Sequence, residues 1–113
     1  MKRILIVDDN FEFLRLLSSV LNKSFETIES GSVNDAIKLL ETTGVDAICS
    51  DFNMRDGTGL ELLEQLRHQG VKVPFMLMSA SDDRYLVNKA RNLGASFCCK
   101  TDHDLIVKIK AMV

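Results

Sequence analysis

Proline occurs once in this chain and glycine six times. That scarcity excludes a long flexible linker or low-complexity tail. Cysteine is odd in number, at three, and Cys98 and Cys99 are adjacent, so no disulfide framework is expected. There is no CxxC and no Cys/His pairing at zinc spacing, which removes a structural zinc site. Cys49, Cys98 and Cys99 read instead as small buried apolar residues. An excess of one charge is missing too: 14 basic and 16 acidic residues are scattered to a formal net charge of −2. With no basic cluster there is no electrostatic footprint for direct nucleic-acid binding. No apolar run approaches the roughly 18 residues of a membrane span. The opening MKRILIVDDN has four apolar residues in a row before two acids, too few for a signal-peptide core. A cytoplasmic protein without membrane contact is the expectation.

What is present is a regular alternation. The 113 residues, 46% hydrophobic and 27% charged, suit one domain spanning residues 1–113. Apolar runs predict strands at Arg3–Val7, Phe25–Ile28, Asp46–Ser50, Pro74–Ser79 and Ser96–Cys99. Between them, helical periodicity predicts helices over about Asn10–Asn22, from Ser32, over Gly59–Gln69, over Asp82–Asn92, and from near Asp102 onward. SVND at Ser32 reads as a capping box, and Gly70 as the stop of the third helix. The strands are continuously rather than alternately apolar, which implies a sheet covered on both faces. Right-handed crossovers then make it parallel and doubly wound. The fold class is therefore α/β: a single five-stranded flavodoxin-like sheet in the order 2-1-3-4-5, with the more polar second strand at an edge and the ligand crevice at the carboxyl ends of strands 1 and 3.

Those strand ends carry the chemistry. Strand 1 ends in Asp8 and Asp9, strand 3 in Asp51, strand 4 in Ser79 and strand 5 in Lys100. Three carboxylates brought together repel one another, and a divalent cation relieves the conflict. Oxygen-only ligands, few and partly exposed, suit Mg²⁺. With the lysine opposite, the crevice is built to receive a tetrahedral anion. Carboxylate nucleophiles that form an acyl phosphate are established chemistry, and phosphoryl transfer asks mainly for positioning and charge neutralisation.

Taken together, ILIVDDN, SDFNMRDGTGLELL, MLMSA and GASFCCK resemble, in order and over essentially the whole chain, the receiver domain of two-component response regulators. The resemblance implies that Asp51 is the phosphoacceptor and that Mg²⁺ is held by Asp9 and Asp51, by Asp8 mostly through water, and by the backbone carbonyl of Asn53. It implies that Lys100 contacts the phosphoryl oxygens, that Ser79 and Phe97 form a switch pair, and that Asn53 and Ser81 tune dephosphorylation. A histidine kinase or histidine phosphotransfer protein would be the donor. Helix 4, strand 5 and helix 5 would form the output face and a possible homodimer contact. Two positions depart from the family pattern: Arg55 and Thr101 stand where receivers carry proline. Without proline, a cis Lys100–Thr101 bond would cost roughly 2.5–4 kcal/mol, so a trans bond with a rearranged loop is expected, Lys100 still pointing to Asp51.

Plainer readings stand beside these. A lone strand-end aspartate is a cap more often than a nucleophile, but Asp51 is not alone. Asp8 could also serve the N-terminus of the first helix, and Phe97 could be simple strand packing. Asp56 reads as a turn residue, His68 and His103 as exposed, and Met54, Met76 and Met78 as packing. Two other functions compete: a receiver that binds without phosphorylation, and an aspartyl-phosphate phosphohydrolase. The second would need a DxDxT stretch where this chain reads DDNFE. The sequence fits a stand-alone regulator as well as part of a longer one.

Overall fold

The structure, a computed structural model, describes residues 1–113. Five strands form one parallel sheet: β1 (Arg3–Val7), β2 (Glu26–Ser30), β3 (Ala47–Asp51), β4 (Phe75–Ser79) and β5 (Ser96–Cys99). Their spatial order is β2-β1-β3-β4-β5, the order expected. Helices α1 (Phe11–Leu21), α2 (Val33–Thr42), α3 (Gly59–His68), α4 (Arg84–Asn92) and α5 (Leu105–Met112) follow the strands in turn. A small antiparallel ribbon, Asn53–Met54 against Gly57–Thr58, sits between β3 and α3.

The period-two alternation of the strands divides the core into two layers. Leu5, Val7, Ile48, Phe75 and Leu77 face one side and pack with Leu62, Leu63, Leu66, Leu86 and Ala90 from α3 and α4. Ile4, Ile6, Cys49, Met76, Met78 and Cys98 face the other and pack with Leu14, Leu17, Leu21, Leu105 and Ile109 from α1 and α5. Burial on both faces explains why the strands read as unbroken apolar runs.

Several boundaries differ from the sequence reading, each for a tertiary reason. β2 does not stop at Ile28: it runs to Ser30 because β1 offers a partner at every step, to the pair Val7↔Ser30. β3 includes Asp51, which pairs with Met78. α5 begins at Leu105, since residues after Lys100 are used in a turn. The capping box expected at α2 is only half formed. Ser32 accepts from the Asp35 N–H, but the Asp35 carboxylate turns to the hydroxyl of Ser30. Instead Asp56 reaches across from the ribbon and accepts from the N–H groups of Val33 and Asn34. It is therefore a long-range helix cap, not merely a turn residue. A complete capping box forms at α3, between Thr58 and Glu61. No helix is long and apolar enough to cross a membrane.

Candidate functional site

The register of the sheet brings the strand-end residues together. Val7 pairs with Ser50, Asp51 with Met78, and Ser79 with Cys99, so Asp8, Asp51, Ser79 and Lys100 emerge side by side. A polar cleft of about 450 Å³ lies over them, lined by Asp9, Asp51, Asn53, Ser79, Ser81 and Lys100 among others. Asp8 is completely buried.

Within the cleft, carboxylate oxygens of Asp8, Asp9 and Asp51 lie within 4.8 Å of one another. Lys100 Nζ sits 2.7 Å from Asp8 Oδ2 and 3.5 Å from Asp51 Oδ1. Asp8 Oδ1 accepts from the Asn10 N–H at 2.9 Å, while the buried Oδ2 has no hydrogen bond and only the ion pair with Lys100. The Asn10 contact steadies the entry to α1, so Asp8 serves that helix as well as the cleft. Asp9 Oδ2 accepts from the Arg55 N–H at 3.2 Å. Burial, and then the neighbouring Asp8 charge, push the Asp51 carboxyl above its ordinary range, against the pull of Lys100. One ammonium cannot neutralise three carboxylates. The donor set is oxygen only and compact, which fits a Mg²⁺ ion.

The local chain explains why Asp51 sits so close to a helix start. The Phe52 N–H donates to the Met78 carbonyl, and the Gly59 N–H to the Phe52 carbonyl, both at 2.7 Å. A Cβ on Gly59 would collide with the backbone oxygen of Asp51 and fall 2.8 Å from Ser50 Oγ. Glycine there lets α3 begin directly against the strand that carries Asp51.

At the other end of the cleft the Lys100 N–H donates to the Ser79 carbonyl at 2.8 Å. No peptide bond is cis, so Lys100–Thr101 is trans as expected, and Lys100 nonetheless reaches Asp51. The loop after Lys100 is a turn closed by the Asp102 N–H on the Cys99 carbonyl at 3.1 Å. The Asp102 carboxylate holds it: Oδ1 accepts from the Asp104 N–H and Oδ2 from Lys108 Nζ, both at 2.8 Å.

Ser79 is partly buried, and its hydroxyl makes only a long 3.5 Å contact, accepting from the Ser81 N–H. Asn53 and Ser81 are exposed on the cleft rim. Phe97 is not in the cleft. It is partly buried on β5, packed on the layer that holds Leu77 and Leu86. His68 and His103 are exposed, Met54, Met76 and Met78 are buried, and Cys49 and Cys98 are buried while Cys99 is only partly so. The sequence reading missed Asp56, Asp102 and Phe13. The Phe13 ring lies under Lys100, 4.2 Å from Nζ to centroid; its place one residue before Leu14 on the buried face gave no sign of this.

The chain is similar to known proteins in sequence and in fold. A family model described as the response regulator receiver domain matches residues 4–108. Among individual relatives, the two-component response regulator ARR11 of Arabidopsis thaliana is 36% identical over 98 residues, covering 82% of this chain and 18% of its own length. The alkaline phosphatase synthesis transcriptional regulatory protein PhoP of Bacillus subtilis is 32% identical, covering 83% of this chain and 40% of its own. The probable chemotaxis protein CheY of Rhizobium etli is 34% identical, covering 83% of this chain and 76% of its own. The chain thus spans less than half of ARR11 and PhoP. In structure, the chain resembles the Francisella response regulator 1452 receiver domain, with a TM-score of 0.91, 22% identity and 99% and 96% of the two chains covered. It also resembles Thermotoga maritima TrrA in complex with Mg²⁺-BeF, with a TM-score of 0.84, 23% identity and 98% and 96% covered.

Proposed function

The chain belongs to the response regulator receiver domain family, and from that membership we propose that residues 1–113 form one phosphorylation-switched signalling domain with Asp51 as phosphoacceptor. The donor is a histidine kinase or histidine phosphotransfer protein. A carboxylate oxygen of Asp51 attacks the phosphorus of the donor's phosphohistidine. The N–P bond breaks and the imidazole leaves, so the phosphoryl group changes carrier without an external oxidant or energy source. Hydrolysis of the acyl phosphate later restores the carboxylate. This is self-catalysed transfer and loss, not substrate turnover.

The observation that carries the reading is the lysine bridge: one ammonium held between Asp8 and Asp51, 2.7 and 3.5 Å away, in a three-carboxylate cleft. Asp51 offers the nucleophile. Lys100 neutralises charge on the incoming phosphoryl oxygens from a fixed place, the arrangement phosphoryl transfer needs most. Asp9 and Asp51 would hold Mg²⁺ by their side chains, Asn53 by its backbone carbonyl, and Asp8 through water. When bound, the cation offsets the carboxylate repulsion and the charge of the phosphoryl group.

Ser79, with no strong hydrogen bond of its own, is free to turn toward the new phosphoryl group. Phe97, on the adjacent strand, would follow it. Asn53 and Ser81 on the rim flank the approach of water and would set the lifetime of the acyl phosphate. The changed surface is α4, β5 and α5, which also offers a homodimer contact, and the expected setting is the cytoplasm. Thr101 does not weaken this reading, because the turn closed at Asp102 keeps Lys100 directed at the carboxylates.

The test is direct. Incubation with acetyl phosphate and Mg²⁺ should add one phosphoryl group by intact mass, lost in Asp51→Asn and in the presence of a chelator. Equal labelling of Asp51→Asn would exclude Asp51 as the acceptor. A receiver that never labels, from acetyl phosphate or any kinase, would be a binding-only module.

A further inference from the structure

We propose that Phe13 is a positioning residue for Lys100, holding its ammonium on the carboxylate side of the strand ends; the role rests on the phosphoacceptor reading above. Lys100 Nζ stands 4.2 Å from the centroid of the Phe13 ring, well inside the reach of a cation–π interaction. The same nitrogen is 2.7 Å from Asp8 and 3.5 Å from Asp51. The lysine side chain is only 15% exposed, and such an attraction strengthens as the charge loses water. Asn10 bonds to both Asp8 and Phe13. Its N–H donates to Asp8, and its side-chain oxygen accepts from the Phe13 N–H, which caps α1.

The ring matters because the lysine has another place to go. Phe13, Leu16, Lys100, Asp102 and Ile106 line a groove of about 250 Å³ between α1 and α5. The groove is lined mainly by apolar side chains but opens to solvent, and a strongly hydrated ammonium on a flexible stem gains water by turning out into it. Two features oppose this. Asp102, the carboxylate on the groove, is already paired with Lys108 at 2.8 Å and offers no free counter-charge. The Phe13 ring face attracts the ammonium where it stands. An aliphatic side chain of similar bulk would close the same gap without that attraction. Phe13 therefore acts through Lys100 and not on the phosphoryl group itself.

Initial rates of phosphoryl incorporation from acetyl phosphate, with Mg²⁺, test the proposal. Phe13→Leu should slow labelling about 3- to 10-fold, and Phe13→Tyr, which keeps the ring face, should stay within about two-fold of wild type. In a Lys100→Met background, Phe13→Leu should change the rate by less than about two-fold. An independent reading comes from urea unfolding of the metal-free protein. Phe13→Leu and Lys100→Met should be non-additive, the double variant losing less stability than the two singles predict. Wild-type labelling by Phe13→Leu, a Phe13→Tyr as slow as Phe13→Leu, an equal drop in the Lys100→Met background, or additive unfolding would each overturn the role. If wild type takes no label from acetyl phosphate or from any kinase, the phosphoacceptor reading falls and the positioning role with it. The unfolding cycle then still reports whether ring and ammonium interact.

Discussion

Asp56 shows how much a single side chain changes meaning between sequence and structure. In MRDGTG it is a turn residue; in the fold it caps the first two N–H groups of α2 from 22 and 23 residues away. The Asn34 and Val33 N–H groups hold its carboxyl below the usual range. A depressed carboxyl contributes stability above its unfolded value, near 3.9, and loses that contribution as pH falls through the folded value. Asp56→Ala should therefore destabilise the protein by about 1 kcal/mol at neutral pH. The gap between wild type and variant should close on acidification through that window, as urea midpoints at several pH values would show. A gap independent of pH would mean the cap acts through packing alone. Cys98 is the contrary case. Burial first, and the Asp102 carboxylate second, push its thiol up to about 11, which agrees with a packing role rather than a reactive one.

At the scale of the element, the start of α3 is the tightest joint. Its capping box, Thr58 with Glu61, and the Gly59 N–H on the Phe52 carbonyl lock the helix against the end of β3. A methyl group at position 59 would strike strand backbone, not a flexible side-chain tip. Gly59→Ala should destabilise by about 1–3 kcal/mol and also slow phosphoryl incorporation, because relief requires moving Asp51. A variant less stable but labelled at the wild-type rate would show that the helix, not the strand, gives way. The turn after β5 is a second joint. Lys100 keeps its direction there through the Ser79 carbonyl, the Cys99–Asp102 turn and the Asp102–Lys108 pair, none of which needs a proline.

At the scale of the molecule, the cleft concentrates negative charge on Asp8, Asp9 and Asp51. A raised Asp51 carboxyl contributes stability that is present below its unfolded value and lost as pH rises through the folded value. Metal-free protein should therefore gain stability at neutral pH from Asp51→Asn. Mg²⁺ should stabilise wild type by about 1.4–2.7 kcal/mol at ten to a hundred times its Kd, and far less in Asp9→Ala. Thermal melts with and without Mg²⁺ measure both effects. An unchanged melting temperature in wild type, or an equal shift in Asp9→Ala, would remove the metal site.

The five-strand alternation, the strand order and the identity of the strand-end cluster are legible in the order of residues alone. The local signals were strong: unbroken apolar runs at ILIV and FMLM, helical spacing between them, and acids, Ser79 and Lys100 at consistent offsets from the runs. Tertiary structure decided the rest, because the remaining facts are contacts between distant segments. β2 extends to Ser30 only because β1 lies alongside it. Asp56 becomes a cap only because the ribbon after β3 folds over α2. Phe13 meets Lys100 only because α1 and the end of β5 converge beneath the cleft. Each depends on where the backbone brings residues far apart in the chain, and no periodicity or local motif encodes that distance.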